Sequence, residues 1–180
     1  LMGLLVGLRI TQGMFRYYIL EDDPDEKRSI VSTVLFTVVF ASGAGSAILF
    51  FGSSLFSQLI FGSIDYEFEF QLFAFTLMTN AISAVGLAYI RARRKPVLFI
   101  IVGITTLAMQ VVLNIIFVVM LDMHVSGVVY GALITGVVIS TALMCYVFIG
   151  VGFHYSGAVA GKLVAYVSPL VLASLGSFFV

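Results

Sequence analysis

Arg9, Gln12, Gly13 and Arg16 recur at i, i+3, i+4 and i+7 within an otherwise apolar opening segment, so they share one face of a helix. An arginine deep in an apolar segment is costly, so Arg9 should face a polar cavity or an anion, and with Arg16 it makes a cationic stripe. Arg16 also reads as an arginine that snorkels to the membrane edge, and Arg9 as a residue near the far end of its helix. Three further polar side chains stand deep in apolar runs: Asn80, and Gln110 with Asn114 one turn on. They suit hydrogen bonding between helices, or else the lining of a hydrated path.

Other reactive residue types are isolated. His124 and His154 fall in different connecting segments, and Cys145 stands alone in an apolar run as a small packing residue. Glu67 and Glu69 flank Phe68 and read as a solvated face. No metal-ligand spacing, glycine-rich phosphate loop, nucleophile motif or catalytic acid pair is present, so neither a metal nor a cofactor is expected and the chain does not read as an enzyme. The basic run RARRKP reads as a topology signal that can also touch anionic lipid, not as a nucleic-acid site.

The elements that position these residues follow from composition. Hydrophobic residues make up 61% of the 180 residues and charged ones 10%, against about 45–50% and about 25% in a soluble domain. So much apolar surface requires lipid as its solvent. A spanning helix needs about 20 mostly apolar residues. Charges and turn residues divide the chain into six such stretches: 1–20, 30–55, 70–90, 97–121, 126–149 and 163–180. The runs are too long for barrel strands and lack their alternation. The fold class is all-α, a polytopic transmembrane helix bundle. The chain starts and stops inside apolar segments and reads as a fragment of a longer protein.

The connections alternate in charge. Arg16, Lys27, Arg28, Arg91, Arg93, Arg94, Lys95 and Lys162, eight of the nine basic residues, fall on one side. Asp65, Glu67, Glu69 and Asp122 fall on the other. The positive-inside rule makes the basic side cytoplasmic, so the first span runs inward and the last outward. Asp23-Pro24-Asp25-Glu26 has the form of an N-cap, an N1 proline and a first acidic turn, and Lys95-Pro96 starts a helix in a similar way. Pro169 should kink the last span. The pairs Gly3/Gly7, Ala41/Gly45, Ser42/Ser46 and Gly127/Gly131 predict close helix contacts. With Arg9 about eleven residues from the inner end of the first span, it lies roughly 16 Å deep.

Three stretches carry a family resemblance. GLRITQGMFRYYILEDDPDEKRSIVSTVLF resembles the second helix and following loop of Wzx-type polysaccharide flippases in its Gly7-Leu8 start, Arg16-Tyr17 pair, acidic Glu21 to Asp25, Lys27-Arg28 and Ser32-Thr33. The stretch from Tyr89 to Val138 is similar to that family's fourth to sixth helices in its basic turn, Leu113-Asn114, and Gly127 and Gly131 leading into Ala132. YVSPLVLASL resembles the start of the seventh helix, with Pro169 inside it. Arg9 departs from the family pattern.

The resemblance implies the multidrug/oligosaccharidyl-lipid/polysaccharide exporter superfamily and a MATE-like fold of two six-helix lobes. Residues 1–162 would supply helices two to six of the first lobe, and 163–180 the start of helix seven. It implies a multi-pass protein of the cytoplasmic (inner) membrane that flips undecaprenyl-diphosphate-linked oligosaccharide for polysaccharide biosynthesis. Its partners would be the bilayer, the lipid-linked cargo, a coupling ion and glycan-assembly proteins. Arg9 and Arg16 would attract the diphosphate, while Asn80, Gln110 and Asn114 would bond sugar or water. The alternatives are a cation-coupled drug exporter of the same fold, a membrane enzyme of glycan assembly, and a non-transporting scaffold.

Overall fold

The computed structural model describes residues 23–62 and 66–152, and everything described is helical or tight turn. The segments 1–20 and 163–180, with Pro169 and the Gly3/Gly7 pair, lie outside the described residues. The helices are α1 (Pro24–Phe51), α2 (Ser53–Phe61), α3 (Glu67–Ala92), α4 (Pro96–Asn114), which continues as a π-helical segment (Ile115–Met120), and α5 (His124–Val151). Among the described residues, α1, α3, α4 with its π segment, and α5 are each long and apolar enough to cross a membrane. The architecture is an all-α bundle of the polytopic membrane type.

Helix starts follow the sequence closely. The Asp23 side chain accepts from the Asp25 N–H at 3.1 Å, and Pro24 opens α1 where its missing N–H costs nothing. Pro96 opens α4 in the same way. Two boundaries differ from expectation. The span expected over 30–55 stops at Phe51, and the short α2 follows it to Phe61. The break falls at Gly52, where a Cβ would lie 2.9 Å from the Ile48 carbonyl oxygen and 3.0 Å from Phe56. The span expected over 97–121 keeps its length but loosens to π geometry after Asn114, a form often found at functional sites.

The turn from α3 to α4 is a Schellman motif. The Lys95 N–H donates to the Ile90 carbonyl and the Arg94 N–H to the Arg91 carbonyl. Glycine is usual at the left-handed position of this motif, yet Arg94 occupies it with φ of 53°. A side chain there costs about 1–2 kcal/mol.

Contacts fix the helix directions. The Ser46 hydroxyl donates to the Ala74 carbonyl at 2.7 Å, and Ser53 donates to Glu67, so α1 and α2 descend alongside a rising α3. Ile30, Val31, Val34, Leu35 and Val38 of α1 pack on Ala81, Ile82, Val85, Ala88 and Tyr89 of α3, joined by Val147 and Val151 of α5. Helices α3 and α5 run parallel. Ser126 meets Glu69, Gly136 meets Thr79, and Leu143 meets Gly86, each pair 57 positions apart. Helix α4 returns antiparallel against α5, with Asn114 on Gly131 and Phe117 on Gly127. No residue of α4 is fully buried, so it is the peripheral span among those described.

These directions bring Lys27, Arg28, Arg91, Arg93, Arg94 and Lys95 to one end of the bundle. Glu67, Glu69, Asp122 and His124 lie at the other. The Gly127/Gly131 pair makes the close contacts expected of it. The Ala41/Gly45 pair does not: Ala41 is exposed, and a Cβ at Gly45 would meet nothing within 4 Å. Cys145, read as a packing residue, is exposed on α5, because its position is turned away from the α3 and α4 contacts.

At Gly86 a Cβ would stand 2.7 Å from Leu143 Cβ, whereas at Gly103 it would meet nothing within 4 Å. Gly86→Ala should lower stability by about 1–3 kcal/mol, while Gly103→Ala should change it by less than about 1 kcal/mol. Thermal unfolding of the detergent-solubilised chain measures both.

Candidate functional site

Arg9 and Arg16, the proposed cationic stripe, lie outside the described residues together with Gln12 and Gly13. The other three predicted site residues occupy two helices and do not converge on one point. Asn80 stands near the middle of α3 and is exposed, away from the face carrying Ala81, Ile82 and Val85. Gln110 and Asn114 are partly buried on the stripe of α4 that includes Leu98, Val102, Thr106 and Leu113.

Asn114 is the most constrained of the three. Its Oδ1 is buried without a hydrogen-bond partner among the described residues and occupies the space a Cβ at Gly131 would need, only 2.5 Å away. Glycine at 131 is what lets the amide enter α5. One turn beyond, a Cβ at Gly127 would lie 3.0 to 3.1 Å from the backbone of Phe117, within the π segment. The two glycines thus seat the start and middle of the irregular helix. Continuing this antiparallel register by one turn brings Gln110 level with Thr135.

The sequence reading missed a set of hydroxyls inside the bundle. Among the described residues, Thr135 Oγ1 and Ser83 Oγ are buried without partners, and Tyr146 Oη is likewise unpaired. Others return to their own helix: Thr76 donates to the Leu72 carbonyl, Thr79 to Thr76, and Ser140 to Val137. Serine and threonine in an apolar helix ordinarily satisfy themselves this way, so composition gave no sign which would be left unpaired. Each unpaired group has lost water and gained no protein partner. Ser83, Asn114 and Thr135 are thus buried polar groups without partners among the described residues, one each on α3, α4 and α5.

At the acidic end, Glu67 and Glu69 depart from a solvated face. Both are partly buried. Glu69 Oε1 accepts from the Ser126 hydroxyl at 2.7 Å, tying α3 to α5, while its Oε2 is buried and unpaired. Glu67 accepts from Ser53 at 3.2 Å and from Gln71 at 3.5 Å. The sequence separations are too long for a pattern to reveal: Ser126 is 57 positions from Glu69. His124 starts α5 with φ of 48°, and its Nδ1 lies 2.5 Å from the Asp122 carbonyl oxygen. Among the described residues no group of three His, Cys, Asp or Glu side chains could hold a metal.

A cleft of about 220 Å³ opens between α1 and α3, walled chiefly by Phe50, Phe51, Phe75 and Met78. Its lining is almost wholly apolar, and the Ser46 hydroxyl beside it is occupied by the Ala74 carbonyl. It suits hydrocarbon and not a glycan.

No protein-family model, curated protein or solved structure matches this chain.

The Asn114–Gly131 contact predicts a coupled pair. Gly131→Ala alone should destabilise by about 1–3 kcal/mol through overpacking. Asn114→Ala should remove the obstacle, so the double variant should lie above the additive expectation by about 1–2 kcal/mol. A double-mutant cycle on thermal or denaturant unfolding checks this. At the acidic end, Ser126→Ala leaves Glu69 with neither oxygen partnered by serine and should cost about 1.5–3 kcal/mol in the same assay.

Proposed function

We propose that the chain belongs to a multi-pass transporter that flips undecaprenyl-diphosphate-linked oligosaccharide across the cytoplasmic membrane by alternating access. In this reading it has the MATE-like exporter fold, with residues 1–162 forming helices two to six of the first lobe and 163–180 beginning the second. The resemblance to Wzx-type flippases supplies the cargo class.

The observation that carries the reading is Asn80. It is an exposed amide about midway along an apolar span of 26 residues. An amide facing lipid there would lose its hydrogen bonds, so it calls for a hydrated path or a polar neighbour. The buried polar atoms of Ser83, Asn114 and Thr135 support the same view, since unpaired polar atoms inside a span are what a water-lined route would satisfy. Arg9 and Arg16 attract the diphosphate, and Asn80 and Gln110 bond sugar hydroxyls or water. The lipid tail stays in the bilayer while the two lobes rock about the headgroup. Glycan-assembly proteins and a coupling ion are the partners this activity requires.

Arg9→Gln and Arg16→Gln, each in the full-length protein at matched expression, test the reading. Removing one charged hydrogen-bonding group of about 1.5–3 kcal/mol should lower the translocation rate of lipid-linked glycan roughly 10- to 100-fold. Normal translocation in both variants would sink the proposed role.

A further inference from the structure

The basic end of the bundle carries four cations in five positions, Arg91, Arg93, Arg94 and Lys95. Among the described residues none of them lies within ion-pair distance of a carboxylate, whereas Arg28 on α1 pairs with Asp25. Three of the four rest on aromatic rings instead. The Arg91 guanidinium lies 5.2 Å from the ring centre of Phe99, Arg93 lies 5.4 Å from that of Tyr89, and the Lys95 ammonium lies 6.0 Å from that of Tyr146. Tyr89 and Tyr146 share the 57-position register of α3 and α5, and their rings meet edge to face at 6.1 Å. Two cations therefore sit on two adjoining rings. The Tyr146 hydroxyl beside them is buried with no partner.

Helix capping does not account for this arrangement. The turn already satisfies the last carbonyls of α3 through the Arg94 and Lys95 N–H groups. Arg94 also takes the left-handed position at which glycine would be easier. All four are exposed, and like charges gathered at this spacing favour an anion seated among them.

We infer that Arg93 and Lys95, over the Tyr89–Tyr146 pair, form a binding site for the phosphate of an anionic phospholipid in the surrounding leaflet. Arg94 adds to the local field. The apolar surface next to the site favours a lipid source: Val97, Ile100, Ile101, Ile104 and Leu107 are each more than half exposed along α4. They give acyl chains an apolar track that begins at the level of Lys95. Juxtamembrane lysines and arginines attract anionic headgroups by the same electrostatics, and here the aromatic rings hold two of them in fixed positions. The inference is independent of the cargo assigned above.

Native mass spectrometry of the full chain, released from micelles holding equal phosphatidylglycerol and phosphatidylcholine, tests it. The unaltered protein should retain phosphatidylglycerol over phosphatidylcholine by roughly tenfold. The doubly substituted Arg93→Gln, Lys95→Gln protein should lose that preference, while Arg93→Lys with Lys95→Arg should keep most of it and shows that the fold survives change at both sites. Arg28→Gln should leave it unchanged. Equal retention of the two lipids by the unaltered protein would overturn the inference, as would an undiminished preference in the doubly substituted one. A third arm adds millimolar inorganic phosphate: full displacement of phosphatidylglycerol would assign the site to soluble phosphate and overturn the lipid source.

Discussion

The bundle depends on the close parallel approach of α3 and α5. Lipid gives helices no hydrophobic reason to associate, because hydrocarbon tails are as apolar as leucine. What remains is contact, and contact requires small residues where backbones meet. Gly136 lets Thr79 in, and Gly86 lets Leu143 in. The constant offset between the two helices then aligns everything else: Glu69 with Ser126 at one end, and Tyr89 with Tyr146 at the other. Helix α1 packs on this pair through its Val and Leu stripe, and α4 reaches it through Gly127 and Gly131.

That same closeness leaves buried polar groups without partners among the described residues. Side chains brought together by glycine contacts leave little space for the rearrangements that would satisfy every hydroxyl. Asn114 is the clearest case, since the glycine that admits it offers no donor in return. Directly after it the helix relaxes into π geometry, whose backbone is pressed against Gly127. Irregular backbone and an unpaired amide therefore meet on the α4–α5 contact, while the α1–α3 contact joins an apolar core to a satisfied Ser46–Ala74 hydrogen bond.

Much of this was legible in the sequence, and the division is physical. The solvent of a segment is written in its own residues, so the apolar stretches that became α1, α3, α4 and α5 could be read directly. Asp23-Pro24 and Lys95-Pro96 mark helix starts through local chemistry alone. Neighbours are not local. Gly127/Gly131 and Ala41/Gly45 have the same form, yet only the first meets a partner among the described residues. Glu69 looks solvated until Ser126, two spans later, is brought beside it. Gly52 gave no warning of a break, since glycine is common and usually tolerated in membrane helices.

The contrast between α3 and α4 bears on how such a bundle comes together. Helix α3 carries nine buried residues and is the least apolar of the four described spans, while α4 has none and is among the most apolar. A segment like α4 partitions into a bilayer on its own merits and needs no companion to remain there. For α3, with its mid-span amide and inward-facing hydroxyls, residence in lipid is conditional on company. Membrane integration and tertiary assembly are thus separable for one helix and inseparable for the other, although the two are joined by a turn of three residues.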